Sequence, residues 1–540
     1  MWRPLTAANL IVTIKNMLLS KTSESQKSGD RRWWALAATA TTVLVIGLDT
    51  TILNVAVPDI GVSLHASNAQ LQWFADSYLL ALGALLLPAG LLGDRYGRKR
   101  WTMVGLVVFF VGSLWCALAT SAGSLFAART LLGVGAAVLI PLAMSSVVVL
   151  FDAAERTRAI AVLGISTMVG LPLGPIVAGI LLQHFWWGSV FVVNLPVISL
   201  ALVAVVLFLP ETTGSRGRPV DVVGILVTSI GLVAATYGVI EGPERGWTDP
   251  LIIGALVAGG VLVAVFVWWQ RRDRGFEPVV DPVLWREPAF RYGALTAAVA
   301  SLAFFGAMFV VPQYLRGVLG EDALGTGLGS VPMVVGLFVG LRVTMVLLPR
   351  FGARVLGVAG FLVGAAGFLL GTRIEVDSGY ALTAAWTVLV GAGIGGALFC
   401  GQNGALAALA RDRAAAGSAL IQVLRQVGSV AGIAVLGALL NAAYRSGLPT
   451  GLPAELSDAL RRNVATGMAA AAQSGSASLE YAVRSAFVGG LTATMWVSAA
   501  VCAVGAAMVW RRLPDGRVVV AHDGGPVSAQ SAYADDPGSR

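Results

Sequence analysis

Runs of apolar residues recur along this chain from about residue 33 to residue 510, and most of them are roughly 20 residues long. A helix of that length crosses a hydrocarbon core of about 30 Å. The runs do not show the alternation over about ten residues that marks an outer-membrane β-strand. Because 56% of the residues are hydrophobic and only 12% are charged, the sequence excludes a water-soluble globular fold and predicts an all-α integral membrane protein.

We expect fourteen membrane spans. They are predicted near residues 35–58, 72–92, 101–120, 124–150, 159–182, 189–209, 221–240, 250–269, 292–315, 327–348, 355–371, 380–402, 416–440 and 486–509. An even number of spans places both termini on the same side of the membrane.

Basic residues are concentrated in the connections that follow the even-numbered spans. They are Arg95, Arg98, Lys99, Arg100, Arg156, Arg158, Arg216, Arg218, Arg271, Arg272, Arg274, Arg286, Arg291, Arg350, Arg354, Arg411 and Arg413. The opposite side has Arg245, Arg316 and Arg373 outside its one long loop. The positive-inside rule therefore predicts a multi-pass protein of the inner (plasma) membrane with both termini in the cytoplasm. The same rule accounts for the net charge of +8, so no nucleic-acid partner is expected.

A repeated sequence motif predicts how the chain is divided into halves. DRYGRKRW after the second span is matched in part by PRFGARVL after the tenth, as two homologous six-span halves would produce. The register pairs Arg95 with Arg350, Gly97 with Gly352 and Lys99 with Arg354. We expect a six-helix bundle at 35–210 and a second one at 292–510, with two inserted helices and linkers between them at 211–291. The second bundle is expected to carry an external loop at about 441–485. A cytoplasmic N-terminal tail or interfacial helix is expected at 1–34, and a disordered cytoplasmic tail at 511–540.

Enzyme chemistry receives no support from the sequence. No Gly-x-x-x-x-Gly-Lys-Ser/Thr loop is present to hold a nucleotide. The three histidines are scattered and the three cysteines fall inside apolar runs, where small core residues are the simplest interpretation. We therefore expect no metal, no cofactor and no enzymatic activity.

Ionisable residues inside the spans are the candidate functional groups. Asp49 lies near the middle of the first span, where an acid costs about 2.5 to 3.5 kcal/mol on insertion scales and so needs a partner or a function. We interpret Asp49 and Asp76 as proton-coupling acids and Arg129 as their charge partner. The alternative is a structural hydrogen-bond network that fixes helix packing.

Two glycine-rich stretches are candidates for segments that change conformation during function. GLLGDRYGRKR is interpreted as a gating turn, although orientation signals alone would explain its positive charges. Its residues are Gly90, Asp94, Arg95, Gly97, Arg98 and Lys99. VGLPLGPIVAG places small residues on one helix face beside two prolines, which predicts a hinge or a seal; ordinary small-residue packing is the alternative. Its residues are Gly170, Gly174, Pro175 and Gly179.

Together these motifs resemble the major facilitator superfamily, and within it the fourteen-span drug:proton antiporters. LDTTILNVAVPDI, QWFADSY, GLLGDRYGRKR, ARTLLGVGAA and GLPLGPIVAG are similar to family signatures of the first five spans and the loop between the second and third. IEGPERGW, PQYLRGVLG and GSALIQVLRQVGSVAG resemble later segments. The chain departs from the pattern at Leu132, where the family usually has Gln, and at Trp187-Gly188-Ser189.

The resemblance implies two six-helix bundles with two extra central helices, and export of an apolar or cationic small molecule against inward proton flow. Asp49, Asp76 and Arg129 would carry the coupling, the proton gradient would supply the energy, and the partners would be the substrate, protons and the lipid bilayer, with the protein a monomer. Polar or aromatic character suggests cavity-lining residues. They are Tyr78, Phe304, Phe305, Gln313, Tyr314, Gln402, Asn403 and Arg425, the last of which could instead link the final helices.

Three other functions remain open at this point. The first is a dedicated exporter of one metabolite, antibiotic or lipid, and the second is a non-transporting membrane receptor or scaffold. The third, an integral membrane enzyme, would usually show clustered ligands or a nucleophile with its base, and the sequence has no such cluster.

Overall fold

The computed structural model describes residues 7–151, 153–211, 221–270, 282–407, 409 and 414–514, and in these residues the fold is entirely helical. The helices are α1 Ala7–Ser63, α2 Asn68–Tyr96, α3 Arg98–Ala117, α4 Ala122–Leu150, α5 Ala153–His184, α6 Ser189–Val192, α7 Asn194–Phe208, α8 Val222–Arg245, α9 Pro250–Gln270, α10 Pro282–Arg286, α11 Pro288–Gly317, α12 Ala323–Gly371, α13 Tyr380–Ala407, α14 Ala414–Gly447, α15 Ala454–Arg462, α16 Val464–Gln473 and α17 Ala477–Arg512. The predicted disordered tail beyond residue 514 lies outside the described residues.

The helix lengths are consistent with fourteen spans. Eleven helices in the described part of the chain are long and apolar enough to cross a membrane, with α6 and α7 counting as one. One of them, α12, contains two spans. Non-helical backbone at Gly352 separates them within its 49 residues. The helices α2 and α5 supply the remaining two, with 29 and 32 residues.

Several element boundaries differ from the predicted spans. Helix α1 begins at Ala7, inside the segment expected to be a tail or an interfacial helix, and continues unbroken into the first span. The predicted spans at 327–348 and 355–371 both lie within the bounds of α12, on either side of its non-helical residue Gly352. The predicted external loop contains the end of α14, the short helices α15 and α16, and the start of α17.

The two halves repeat one local arrangement. Gly97 and Gly352 both have positive φ, 113° and 76°, a conformation that glycine adopts without a Cβ penalty. Two residues further on, Lys99 Nζ donates to the carbonyl of Val206 at 2.7 Å, and Arg354 Nε donates to the carbonyl of Leu513 at 2.7 Å. Each basic residue therefore holds its turn against the end of the last helix of its own half, as two homologous bundles require.

The halves meet at one end of the bundle. Helices α2 and α14 run antiparallel, so that Asn68 Nδ2 donates to Asn441 Oδ1 at 2.9 Å and Gln72 packs on Gly437. At the same end, Arg316 Nη2 of α11 contacts Asp59 Oδ1 of α1 at 2.9 Å. We call this the Asp59 end.

Contacts of α2 change toward its other terminus. Gly83 still packs against Gln426 of α14, whereas Gly90 and Gly93 pack against Pro141 and Leu142 of α4, within the same half. Among the glycines of α2, the packing partner therefore changes from the second half to the first half between Gly83 and Gly90. We call the opposite end of the bundle, where Gly97 lies, the Gly97 end.

The inserted helices α8 and α9 pack on the outside of the junction between the halves. Ile240 of α8 is buried between Ala69 of α2 and Ala434 of α14. Asp221 ties the pair together, since it caps α8 through the Gly224 amide at 2.8 Å and accepts hydrogen bonds from Trp269 and Gln270 at the end of α9. Helix α8 thus contacts both halves.

Candidate functional site

A buried ion pair lies inside the first half. Arg129 Nη1 of α4 is 2.9 Å from Asp49 Oδ2 of α1, and their side chains are 2% and 0% exposed. Both residues belong to helices that cross the membrane. Ionised groups at such depth are costly unless paired, so each supplies the counter-charge that the other needs.

Helix α2 and the short helix α6 hold the guanidinium of Arg129. Its Nε donates to the carbonyl of Phe74 at 3.0 Å. Its central carbon lies 4.4 Å from the ring centroid of Tyr78 and 5.9 Å from that of Phe191. The aromatic faces attract the cation and exclude water from it, so Arg129 is fixed from several sides.

Asn194 completes the cluster, and the sequence analysis did not identify it. Its Nδ2 lies 3.2 Å from Asp49 Oδ1 and 3.1 Å from Ser113 Oγ, which in turn donates to the carbonyl of Phe191 at 3.0 Å. Both Asp49 oxygens are therefore hydrogen-bonded. The available signal was a lone asparagine in the apolar run FVVNLPVISL.

Asp76 has a different environment from Asp49. It is fully buried on α2, between Phe74 and Tyr78 in sequence, both of which contact Arg129. Neither of its carboxyl oxygens has a hydrogen-bond partner among the described residues. A buried carboxylate without a partner is strongly disfavoured, so the structure places one compensated and one uncompensated acid in the same half.

The glycines of the GLPLGPIVAG stretch seat α5 on the helix that carries Asp49. A Cβ on Gly170 would come within 3.1 Å of the Leu48 nitrogen, and one on Gly174 within 2.9 Å of the Leu48 oxygen. Thr51 Oγ1 also donates across this contact to the carbonyl of Leu171 at 2.8 Å. Only glycine allows the two backbones to approach this closely.

The same helix α5 reaches the second half through the end of this stretch. A Cβ on Gly179 would lie 3.0 Å from the Ala323 oxygen and 3.0 Å from the Leu324 Cα of α12. Gly327 of α12 packs in return on the Pro175 carbonyl. Helix α5 therefore connects the Asp49 helix to the opposite half.

The predicted gating turn is held by an acid that the sequence analysis missed. Glu211, just beyond α7, accepts a hydrogen bond from the Lys99 amide at 3.3 Å and lies 3.7 Å from Arg100 Nε. A Cβ on Gly97 would lie 2.5 Å from Glu211 Oε1. The Arg95 guanidinium stacks on Tyr96 at 5.7 Å. The Asp94 side chain lies outside the described residues.

The residues suggested as cavity lining do not share one surface. Tyr78 belongs to the ion-pair cluster, while Gln313 and Tyr314 are buried, with Gln313 Nε2 donating to the carbonyl of Phe309 in its own helix at 3.0 Å. Phe304 is buried and packs edge-on against Phe305 at 5.4 Å. The partly exposed members are Phe305, Gln402, Asn403 and Arg425.

No group of three His, Cys, Asp or Glu side chains that could hold a metal ion occurs in the part of the chain that the structure describes. The three cysteines are buried and free.

Two repeated six-helix halves that meet at one end, with ionisable groups buried inside the spans, define a membrane transporter. The sequence model of the Major Facilitator Superfamily matches residues 39–433. The chain belongs to this superfamily, as the resemblance predicted.

Alignments with named relatives cover most of the chain. It is 33% identical over 440 residues to the multidrug resistance protein Stp of Mycobacterium tuberculosis (strain CDC 1551 / Oshkosh), covering 79% of this chain and 80% of the relative. It is 33% identical over 495 residues to the multidrug efflux pump LfrA of Mycolicibacterium smegmatis, covering 90% and 97%. It is 33% identical over 413 residues to the puromycin resistance protein pur8 of Streptomyces alboniger, covering 75% and 81%.

Solved structures of transporters share the fold. A bacterial homologue of the human lysosomal transporter Spinster, in an inward-facing and unoccupied conformation, superimposes with a TM-score of 0.61 at 17% identity, covering 89% of this chain and 96% of that one. The xylose transporter XylE from E. coli gives a TM-score of 0.56 at 12% identity, covering 90% and 99%. The predicted major facilitator fold is confirmed.

Proposed function

We propose that this protein exports small apolar or cationic molecules across the cytoplasmic membrane, coupled to inward proton movement, with the proton gradient as its energy source. The observation that carries the proposal is the buried Asp49–Arg129 pair, one member of which can be neutralised by a proton. The printed functions of the relatives, multidrug resistance, multidrug efflux and puromycin resistance, support the export of drugs.

Asp49 is the proposed coupling acid because its protonation changes the balance of the whole cluster. The guanidinium of arginine is not deprotonated in proteins. When Asp49 takes up a proton, the guanidinium loses its counter-charge while still enclosed by Phe74, Tyr78 and Phe191. An unpaired buried charge is strongly destabilising, so the cluster would rearrange to give Arg129 water or another partner.

Asp76 is the proposed second proton carrier. Its carboxyl has no hydrogen-bond partner among the described residues, so in this conformation the neutral form costs less free energy of burial than the ionised form. Ionisation would then require water or a cationic substrate to reach α2. A cationic substrate and a proton would thereby compete for the same half of the protein, which is the requirement for antiport.

Helix α5 is the proposed mechanical link between the acid and the opposite half. Thr51, two residues from Asp49, is hydrogen-bonded to α5, and Gly179 of α5 packs on α12. A shift of α1 around Asp49 would therefore move a contact between the halves. Rocking of two repeats about a central site is how alternating access operates in such folds.

The positive-inside rule assigns the Gly97 end to the cytoplasm, with both termini on that side. In this orientation the described conformation is closed toward the outside. Export requires the Asp59–Arg316 and Asn68–Asn441 contacts to break, while the Gly97 turn, held by Glu211 and Val206, would latch the cytoplasmic end in the alternate state. We expect one copy of the chain to be sufficient, with the bilayer, protons and the substrate as its partners.

Transport by purified protein in liposomes tests this proposal. We would impose an inside-acidic pH gradient and measure uptake of radiolabelled puromycin and of ethidium, with protein-free vesicles and nigericin-treated vesicles as controls. The proposal predicts uptake that disappears when nigericin collapses the gradient. Uptake that persists without the gradient would refute proton coupling, and absence of uptake of both probes would refute drug export.

A further inference from the structure

Arg425 is an arginine within a membrane-spanning helix whose partners are all neutral. Its Nη1 donates to Gln422 Oε1 at 3.1 Å and its Nε to Ser301 Oγ at 3.4 Å. By contrast, Arg129 and Arg316 each have a carboxylate at 2.9 Å. Among the described residues, no carboxylate lies within ion-pair distance of Arg425, and Nη2 has no hydrogen-bond partner.

These contacts leave part of the Arg425 guanidinium available to bind another group. Arginine remains charged in proteins, and its planar fork of donors matches the two oxygens of a carboxylate. A long bond to a hydroxyl and one bond to an amide are weak compensation for a full charge in the membrane. An incoming oxyanion would provide the missing counter-charge.

Arg425 lies next to a contact between the two halves. The adjacent Gln426 packs on Gly83 of α2, in the opposite half. Arg425 itself is only partly buried. It also bridges α14 to α11 through Ser301, and both helices contact the opposite half. The partly exposed guanidinium is therefore close to residues that join the two halves.

An aromatic surface adjoins this cation. Phe305 follows Ser301 by four residues, so it lies one turn further along the same face of α11. Phe305 is partly exposed and is held edge-on by Phe304 at 5.4 Å between ring centroids. A ring one helical turn from the serine that holds the guanidinium fits a ligand that has both an aromatic body and a planar anionic group.

We propose that Arg425 is the anion-recognition residue of the transport cavity, and that the cavity takes aromatic molecules bearing a carboxylate, zwitterions included. The proposal rests on the proposed transport function and extends its substrate class beyond apolar and cationic molecules. The rival role for Arg425, a structural tie between α11 and α14, would give no preference for an anionic ligand.

A matched pair of dyes separates these roles. Rhodamine B carries a free carboxylate on a xanthene cation, and its ethyl ester keeps the same chromophore without that charge. We would measure the dissociation constant of each dye for the full-length protein in detergent by fluorescence anisotropy at pH 7.5. The wild type is expected to bind the acid about tenfold more tightly than the ester, the gain typical of a charge-assisted contact.

Substitutions then assign the preference to one residue. Arg425→Gln is expected to weaken binding of the acid about tenfold or more and to leave binding of the ester within about twofold. Arg425→Lys, which keeps the charge without the fork, should retain part of the preference and guards against a folding defect in the glutamine variant. Arg342→Gln is the matched control, because Arg342 is an exposed arginine of α12.

A wild-type protein with no preference for the acid, or an Arg425→Gln variant that weakens both dyes equally, would overturn the proposal. The binding assay needs no gradient, so it is independent of the transport function. If gradient-driven uptake of both dyes were absent from wild-type vesicles while the Arg425-dependent preference persisted, proton-coupled export would fail and anion recognition would stand.

Discussion

Asp49 and Arg129 lie on different helices and are 80 residues apart in sequence, yet their side chains meet at 2.9 Å in the interior of the first half. Asn194 holds the second oxygen of Asp49, and Phe74 and Tyr78 hold the guanidinium from the other side. One proton on Asp49 therefore decides whether this cluster contains a balanced ion pair or a lone buried cation.

A double-mutant cycle should measure the coupling within this pair. Asp49→Asn and Arg129→Gln each leave one charge unpaired, and each is expected to cost about 3 to 5 kcal/mol of stability. The double variant should cost less than the sum, because it leaves no unpaired charge. Thermal unfolding in detergent provides the measurement. Strict additivity would mean that the two side chains do not interact as described.

Replacing Gly174 by Ala should reduce transport. A Cβ there would collide with Thr51 and the Leu48 carbonyl and push α5 away from α1. Gly260→Ala in α9 is the matched control, since nothing lies within 4 Å of a Cβ at that position. Alanine should be neutral there or stabilise the helix by up to about 1 kcal/mol. Equal uptake of puromycin by both variants would contradict the close-packing role of Gly174.

A disulfide across the Asp59 end should stop transport. Asn68→Cys combined with Asn441→Cys places two thiols where the native side chains are hydrogen-bonded at 2.9 Å. Oxidation should fix α2 to α14 and block the opening that export requires, and a reductant should restore uptake. The native cysteines are buried and free, and each single variant serves as a control. Full transport by the oxidised double variant would show that these helices do not separate.

Removing Asp221 should loosen the inserted helices. Asp221→Ala loses an N-cap, at about 1 kcal/mol, and also the hydrogen bonds from Trp269 and Gln270 that join α8 to α9. Asp249→Ala is the matched control, because Asp249 is partly exposed and accepts a hydrogen bond from the Leu251 amide at the start of α9. Limited proteolysis should cut the Asp221 variant faster. Identical digestion of the two variants would argue against the tie.

The sequence predicted the helical fold well because the apolar runs are long and are separated by charged or turn-forming residues. It also placed a break between the spans 327–348 and 355–371, and the backbone of α12 is non-helical there, at Gly352. Short polar helices such as α15 were missed, since nine residues between two long spans show no membrane periodicity.

The site was predictable to the extent that charge inside a membrane is rare. Asp49 and Arg129 stand out for that reason. Asn194 and Glu211 do not stand out, because a neutral amide in a span and an acid in a loop each cost little free energy. Their roles depend on partners that are distant in sequence. The burial of Tyr78 against Arg129 could not be predicted either, because the facing of a residue cannot be read from a helix that is apolar all round.

The coupling of substrate movement to protons through Asp49 can be tested by comparing two forms of the protein. Wild-type and Asp49→Asn proteoliposomes would be assayed for puromycin uptake driven by an inside-acidic gradient and for puromycin counterflow without a gradient. Asp49→Asn is expected to lose driven uptake by about tenfold or more, the scale of a lost charged interaction, while counterflow persists. Driven accumulation equal to that of the wild type, or loss of counterflow together with driven uptake, would contradict this coupling role.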